Sequence, residues 1–175
     1  MREGGFADPE EPVDEGGLRK AQTLVLKPAP ELVFTAPAVA ARQTAQALEL
    51  AASVETALAD IDHGAWRGRS LVEVQASEPE VLMSWILDPT LGAPGGETFA
   101  SVQARVAEWI EAQAGSDRRI LAVTHPMVVR AALAHVLDIP SAAAFRIDVA
   151  PLSRLTLSFN RQWRFQGLGG EDGST

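Results

Sequence analysis

The sequence predicts a single α/β domain in which a mixed sheet carries helices on both faces. A small helical insert is expected to lie as a cap over the carboxyl ends of the strands. Short apolar runs that suit buried strands occur at 31–35 and 119–124, and helical periodicity follows each of them at once. This strand-then-helix order is typical of βα units. The chain has 175 residues, 46% of them hydrophobic, which suits one domain with a sizeable core.

The first third of the chain is predicted to contain a loop, two helices and a strand. Residues 1–16 are rich in glycine, proline and acidic side chains, which is typical of a loop. Apolar spacing predicts a helix over 17–27. The strand at 31–35 leads into a helix over 37–52 that has proline in its first turn. Residues 53–60 are expected to form a short, partly extended segment.

The cap insert is expected to run from about residue 60 to 96. It begins with a compact turn at 61–68 that contains two glycines and a tryptophan. Helical patterns follow over 70–78 and 79–87, and a loop rich in proline and glycine ends the insert. The insert is therefore a small helical cap.

The second half of the chain returns to strands and helices. A long amphipathic helix is predicted over 97–114, followed by the strand at 119–124 and a helix over 127–137. Alternating apolar residues at 154–159 and 163–165 predict a hairpin. The chain thus ends its folded part in antiparallel structure.

Residues 1–166 are expected to form the domain, and 167–175 a disordered tail.

Composition excludes several classes of function. A net charge of -8 provides no basic surface for nucleic acid or an anionic membrane. There is no cysteine, so disulfides and thiolate sites are excluded. Apolar runs are too short to span a bilayer, and the start carries no signal-peptide core. We expect a cytoplasmic protein.

The residue pattern itself points to His125 as a candidate site residue. It follows the strand at 119–124 and precedes a helix, where open α/β sheets place their ligands. The helix N-terminus offers free N–H groups and the positive end of a dipole, and both favour an anion. A histidine in this place indicates phosphate chemistry, with a purely structural histidine as the open alternative.

Five segments, in order, resemble motifs of the histidine phosphatase superfamily, which has the phosphoglycerate-mutase-like fold. They are Glu11-Pro-Val-Asp-Glu-Gly-Gly17, Thr35-Ala-Pro-Ala-Val-Ala-Ala-Arg-Gln-Thr-Ala45, Leu58-Ala-Asp-Ile-Asp-His-Gly-Ala-Trp-Arg-Gly68, Pro94-Gly-Gly-Glu-Thr98 and Val123-Thr-His-Pro-Met-Val-Val-Arg130. Each motif alone is weak, whereas their order and spacing from about residue 9 to 160 are specific. The resemblance implies that fold for the whole domain.

The resemblance also implies a phosphohistidine mechanism on a small phosphorylated substrate. In the family, a histidine of an Arg-His-Gly triplet attacks phosphorus, and arginines with a second histidine hold the phosphoryl oxygens. A carboxyl group on the cap side protonates the leaving oxygen. His125 matches the second histidine and Asp60 the proton donor, with Asp62 as a neighbouring alternative. Thr124 and Thr35 are the expected substrate-binding neighbours.

Two parts of the family pattern are absent from the sequence. No Arg-His-Gly or Arg-His-Ala triplet occurs, and Ala40 stands where the family carries a second phosphate-binding arginine. Arg42 should point away from the pocket, because a step of two residues rotates a helical side chain by about 200°. His63 and His135 are interpreted as structural or surface residues, although His63 is near enough to the cap to contact substrate.

The triplet ends the family's first strand, which we expect between the strands at 31–35 and 119–124. Residues 1–17 have no apolar run to replace it. The sheet should therefore pair poorly, unless its flanking strands close up or another chain lends a strand. The simplest explanation is that Met1 is a late start and that the nucleophile lies upstream; the competing one is decay to a non-catalytic relative.

Three hypotheses follow for the function. The first is a phosphoric monoester hydrolase whose nucleophile lies upstream of Met1, so that the chain as written is inactive. The second is a non-catalytic relative that binds a phosphorylated ligand or a protein partner, and the third is an α/β domain whose His125 is merely structural. No cofactor or metal is expected, because no ligand spacing occurs. An apolar surface formed by Trp66, Trp85 and residues 81–87 leaves a homodimer open.

Overall fold

The chain builds two small sheets, and helices pack around both of them. This computed structural model describes residues 5–169. Its helices are α1 (Glu15–Thr23), α2 (Val39–Ala47), α3 (Leu71–Ser77), α4 (Pro79–Leu87), α5 (Phe99–Ala112), α6 (Pro126–Leu137) and α7 (Ser141–Ala144). Its strands are β1 (Leu32–Thr35), β2 (Ser53–Val54), β3 (Ile120–Val123), β4 (Arg154–Asn160) and β5 (Gln162–Gly169). The predicted α/β class is confirmed.

Strands β1 and β3 pair directly with each other in parallel. Leu32 lies opposite Ile120 and Thr35 opposite Val123, while β2 pairs with the other edge of β1. The expectation that a missing strand separates β1 from β3 is therefore wrong. Direct pairing satisfies their backbone N–H and C=O groups, which are costly to leave unpaired inside a fold. Within residues 5–169, β3 is an edge strand of this sheet.

Strands β4 and β5 form a separate antiparallel hairpin, which turns at Arg161 with a positive φ of 64°. The predicted mixed sheet is thus present in two pieces, one parallel and one antiparallel. The hairpin continues to Gly169, which pairs with Arg154. The predicted disordered tail is wrong for 167–169, because these residues complete the ladder; 170–175 lie outside the described residues.

One core joins the two sheets. The predicted apolar face of α5 is buried through Phe99, Val102, Val106 and Ile110, and it packs against the buried face of α6. Partly buried side chains from both sheets contact this cluster, namely Phe34, Ala122, Val123, Leu155 and Trp163. Each large apolar side chain buried in this way contributes about 1.5–3 kcal/mol to folding.

The cap insert has a smaller core of its own around Trp66, which is fully buried. The indole Nε1 of Trp66 donates a hydrogen bond to Glu78 Oε2 at 3.1 Å. Phe6, from the N-terminal loop, packs on Trp66 with ring centroids 4.9 Å apart, and its backbone bonds to Gly68 and Arg69. No pattern in the sequence indicates this contact, because a lone phenylalanine in a polar loop has no periodicity.

The apolar surface predicted around 81–87 is present without Trp66. Met83, Ile86 and Leu87 are exposed on α4, whereas Trp66 belongs to the cap core. Placing Trp66 on that surface was wrong, because its large ring fills the space between the cap helices and the N-terminal loop. No helix in the described part of the chain is long and apolar enough to cross a membrane.

Candidate functional site

His125 lies at the junction of β3 and α6. It is the N-cap residue of α6, with an extended backbone (φ -114°, ψ 158°) and no capping hydrogen bond from its side chain. Pro126 occupies the first helical position, which suits proline because no N–H is required there. The N–H groups of Met127 and Val128 belong to the first turn and have no acceptor inside the helix. The imidazole therefore stands beside a helix end that favours anions.

The two nitrogens of the His125 imidazole have different surroundings. Nδ1 lies 3.7 Å from Asp60 Oδ2, and the two side chains are 17% and 22% exposed. Nε2 is buried and has no hydrogen-bond partner among the described residues. Leaving a buried polar atom unpaired costs about 1–3 kcal/mol. This arrangement favours a ligand that supplies the missing partner.

Asp60 reaches the imidazole although aspartate is one methylene shorter than the glutamate of the family pattern. Its Oδ1 accepts a hydrogen bond from the Ile61 N–H at 2.9 Å, and its Oδ2 is the oxygen that faces His125. The structure thus brings together the two residues that the sequence assigned to catalysis.

Asp62, the alternative proton donor, is engaged elsewhere. Its carboxylate accepts hydrogen bonds from Arg67 Nη2 and from the Gly64 N–H, both at 2.8 Å. The hydrogen bond from Arg67 holds the pKa of the Asp62 carboxyl below its ordinary value, and the Gly64 N–H adds to this effect. Asp62 therefore remains ionised in a surface ion pair, which is unsuitable for donating a proton near pH 7.

The two threonines expected to bind substrate make other contacts. The Thr124 hydroxyl donates to the Leu58 carbonyl oxygen at 2.7 Å, which ties the end of β3 to the turn before Asp60. Thr35 is buried, and its hydroxyl donates to the Ala36 carbonyl oxygen at 3.3 Å. Substrate contact by either threonine stays a prediction.

Arg105 on α5 holds the same turn and was missed by sequence reasoning. Its Nε and Nη2 bind the two carboxylate oxygens of Glu97, each at 3.0 Å. Its Nη1 donates to the Ala57 carbonyl oxygen at 2.7 Å, and its Nη2 to the Asp60 carbonyl oxygen at 3.2 Å. The only signal in the sequence is an arginine beside the apolar stripe of α5, just before Val106.

The remaining histidines make their ring contacts and hydrogen bonds with other residues, although His63 is close enough to Asp60 for an electrostatic interaction. His63 packs edge-on against Phe6, with ring centroids 5.2 Å apart, and burial lowers the pKa of its imidazole. His135 Nε2 lies 2.7 Å from Glu111 Oε1, at hydrogen-bond distance, on the helix surface. Both placements agree with a structural or surface role.

Ala40 stands where the family pattern carries a phosphate-binding arginine. Arg42 is exposed and lines a separate cavity of about 400 Å³ beside α2 and β2. Within residues 5–169, no arginine forms an ion pair or hydrogen bond with the His125 imidazole or the Asp60 carboxylate. The same part of the chain contains no group of three or more histidine, aspartate or glutamate side chains that could hold a metal ion.

Comparison with known proteins extends this picture to the whole domain. The model of the histidine phosphatase superfamily (branch 1) matches residues 7–169. A bifunctional protein of Mycobacterium tuberculosis is 33% identical over 119 residues, which cover 62% of this chain and 31% of that protein. The chain thus spans about a third of the length of the mycobacterial relatives it matches.

Two phosphatases are similar over most of the chain. Phosphoserine phosphatase 1 of Hydrogenobacter thermophilus is 27% identical over 169 residues, which cover 90% of this chain and 79% of that enzyme. The solved structure of a mycobacterial glucosyl-3-phosphoglycerate phosphatase with VO3 superposes with a TM-score of 0.81. That match covers 96% of this chain and 92% of the other at 23% identity, so it shows a shared fold.

Proposed function

Because the chain belongs to the histidine phosphatase superfamily, we propose that it serves the hydrolysis of a small phosphate monoester. The observation that carries the proposal is the His125 imidazole, whose buried Nε2 has no partner among the described residues and whose Nδ1 lies 3.7 Å from Asp60 Oδ2. The imidazole and the first-turn N–H groups of α6 would hold phosphoryl oxygens. Asp60 would give its proton to the leaving oxygen.

The reaction also needs a histidine that attacks phosphorus. In that step a P–N bond forms while the P–O bond to the leaving alcohol breaks. Water then attacks phosphorus, the P–N bond breaks, and the proton lost by water returns to Asp60. His135 is paired with Glu111, and His63 packs on Phe6 in the cap. We therefore assign the nucleophile to a strand upstream of Met1. The 175 residues alone should bind phosphate without turning an ester over.

The free edge of β3 supports this assignment. In the described part of the chain β3 has one neighbour, β1, and His125 follows closely after its last residue, Val123. A parallel strand added to this edge would end beside the imidazole, because parallel strands end at the same side of a sheet. The hairpin is not paired with β3, although both contact the same core.

A second candidate function is non-catalytic binding of a phosphorylated ligand or a protein partner. The observation that favours it is Ala40, for which no described arginine substitutes at His125 or Asp60. Removing one donor to the reacting oxygens typically lowers the rate by about 10²–10³. An enzyme that is extended upstream but lacks this arginine would therefore be slow.

The test compares the 175-residue chain with a form extended through its upstream reading frame. Both are assayed on p-nitrophenyl phosphate, phosphoserine and glucosyl-3-phosphoglycerate, the last two because similar phosphatases are named for them. Turnover by the extended form alone, lost in His125→Ala, supports hydrolysis. An in-frame stop beside Met1, with phosphate bound by the given chain, supports the binding role. Failure of both forms to bind inorganic phosphate or vanadate overturns both candidates.

A further inference from the structure

We propose that Arg105 is a positioning residue that holds Asp60 against His125. This inference rests on the proposed function and deepens it, because it explains how the proton donor keeps its place. The Arg105 and Glu97 side chains are 21% and 28% exposed, so solvent screens their ion pair only in part. The guanidinium lies under the turn that carries Asp60, where it binds the carbonyl oxygens of Ala57 and Asp60.

The geometry needs the fork of an arginine. One edge of the guanidinium, Nε with Nη2, takes the two oxygens of Glu97, and the N–H groups of Nη1 and Nη2 that remain take the two carbonyl oxygens. These donors lie at fixed angles in one plane, so they fix the separation of the acceptors. A lysine could keep the charge opposite Glu97, but its single ammonium cannot span both carbonyls.

Hydrogen bonds hold the backbone around Asp60 on two sides, and this fixes the position of the Asp60 carboxylate. On one side, Glu97 accepts a hydrogen bond from the Asp62 N–H at 3.1 Å, and its own N–H donates to the Asp62 carbonyl oxygen at 2.8 Å. On the other side, Thr124 donates to the Leu58 carbonyl oxygen. Residues 57–62 are thus held between α5 and the end of β3, and Asp60 Oδ2 faces the imidazole as a result.

The chain offers a matched control in the cap. Arg69 pairs with Glu78 at 2.7 Å, and these side chains are 30% and 31% exposed. Arg69 also donates to the Glu73 carbonyl oxygen, so it resembles Arg105 in network and exposure. Within the described part of the chain, its side chain forms no hydrogen bond or ion pair with residues 57–62. Arg69→Lys should therefore lower stability without moving Asp60.

The experiment compares wild type, Arg105→Lys and Arg69→Lys in the 175-residue chain. Amide hydrogen exchange is measured by NMR, together with the imidazole resonances of His125 and His135. In Arg105→Lys, exchange at 58–62 should accelerate at least about tenfold, and the His125 resonances should shift while those of His135 stay in place. Arg69→Lys should leave all of these as in wild type. Inorganic phosphate should bind both variants within about twofold of wild type, since both retain His125 and the Asp60 carboxylate.

In the form extended upstream, Arg105→Lys should lower kcat about tenfold with KM nearly unchanged, because the proton is needed in the transition state. If Arg105→Lys only lowers the melting temperature, and exchange at 58–62 and the His125 resonances stay as in wild type, the positioning role is refuted. If Arg105→Lys does not fold, Glu97→Gln must give the same local signature. A wild type that neither binds phosphate nor turns over, with the local changes still present, would refute the proposed function and leave the positioning role standing.

Discussion

The Asp60 carboxylate and the His125 imidazole face each other at 3.7 Å, from Oδ2 to Nδ1. This separation is longer than the roughly 3.2 Å limit of a good N–H···O hydrogen bond. Neither atom is therefore committed to the other, and both keep hydrogen-bonding capacity for a ligand. The pair stands at the start of α6, so an oxyanion would meet a helix end and an imidazole at the same place.

Replacing His125 by glutamine should weaken the binding of inorganic phosphate by about tenfold to a hundredfold. The physical reason is the loss of a charge-assisted hydrogen bond, which contributes about 1.5–3 kcal/mol. Calorimetric titration of the 175-residue chain measures the change. His135→Gln is the control, because His135 is hydrogen-bonded to Glu111 on the surface. An equal loss in both variants would contradict a specific role for His125.

Replacing Asp60 by asparagine should tighten phosphate binding about fivefold, because a carboxylate close to a bound anion repels it by roughly 1 kcal/mol in a watery site. The same titration measures this gain. In the form extended upstream, the variant should lose turnover, since asparagine cannot donate an acidic proton. Asp62→Asn should leave phosphate affinity unchanged, because Asp62 is bound to Arg67. Tighter binding in Asp62→Asn alone would reverse the assignment of the two aspartates.

The sequence predicted the parts of this site that depend on neighbouring residues in the chain. The helix at 79–87 has the bounds that were predicted, since proline starts it and a polar loop ends it. Asp60 and His125 meet because β2 and β3 run parallel in one sheet, and the two residues lie beyond the carboxyl ends of these strands. Arg105 and Phe6 escaped prediction because their partners lie far away in the sequence, where no periodicity relates them.

The sheet shows the same limit. The positions of β1 and β3 were predicted from their apolar runs, whereas their direct pairing was not. Which strands pair is decided by competition among whole strands for hydrogen bonds and for a shared core, and a pattern along one strand does not encode it. The extent of β5 was missed because the glycines near its end, Gly167 and Gly169, lower strand propensity although the ladder still forms there.

His63 should make folding stability depend on pH. Burial lowers the pKa of its imidazole from the ordinary value of 6.5, although Asp60 and Asp62 act in the opposite direction. The proton therefore binds more tightly to the unfolded chain than to the folded one. His63 does not destabilise the fold while the pH is above the pKa that it has in the unfolded chain, and it does so increasingly as the pH falls below that pKa. In His63→Phe, which keeps a ring on Phe6, the melting temperature should fall less between about pH 7.5 and pH 5. His135→Gln, which retains His63, should still show the part of the fall in melting temperature that His63 causes. A fall in His63→Phe that is identical to that of wild type would disprove the prediction.

Gly96 should not tolerate a side chain, because a Cβ there would collide with the Asp62 carbonyl oxygen. Gly96→Ala should lower the free energy of unfolding by about 1–3 kcal/mol and displace the segment that follows Asp60. Urea unfolding and phosphate titration measure the two effects. Gly115→Ala is the control: its φ of +80° is unfavourable to alanine, but nothing lies within 4 Å of the added carbon. Gly115→Ala should lower the free energy of unfolding by about 1–2 kcal/mol and leave phosphate affinity intact. An equal loss of phosphate affinity in both variants would argue against the close approach at Gly96 as its cause.

Phe6 should contribute as much to the stability of the cap core as a buried residue of the cap insert does. It is 6% exposed, and its ring lies 4.9 Å from Trp66, 5.3 Å from Trp85 and 5.2 Å from His63, measured between centroids. Phe6→Ala should lower the free energy of unfolding by about 3–5 kcal/mol, because it leaves a cavity between aromatic rings. It should also shift the tryptophan fluorescence to the red, as water reaches the indoles. Phe159→Ala on the exposed hairpin, where one tryptophan is also in contact, should cost far less. Equal losses in the two variants would show that the N-terminal loop merely lies on the cap, whereas the expected difference makes Phe6 part of the cap core around Trp66.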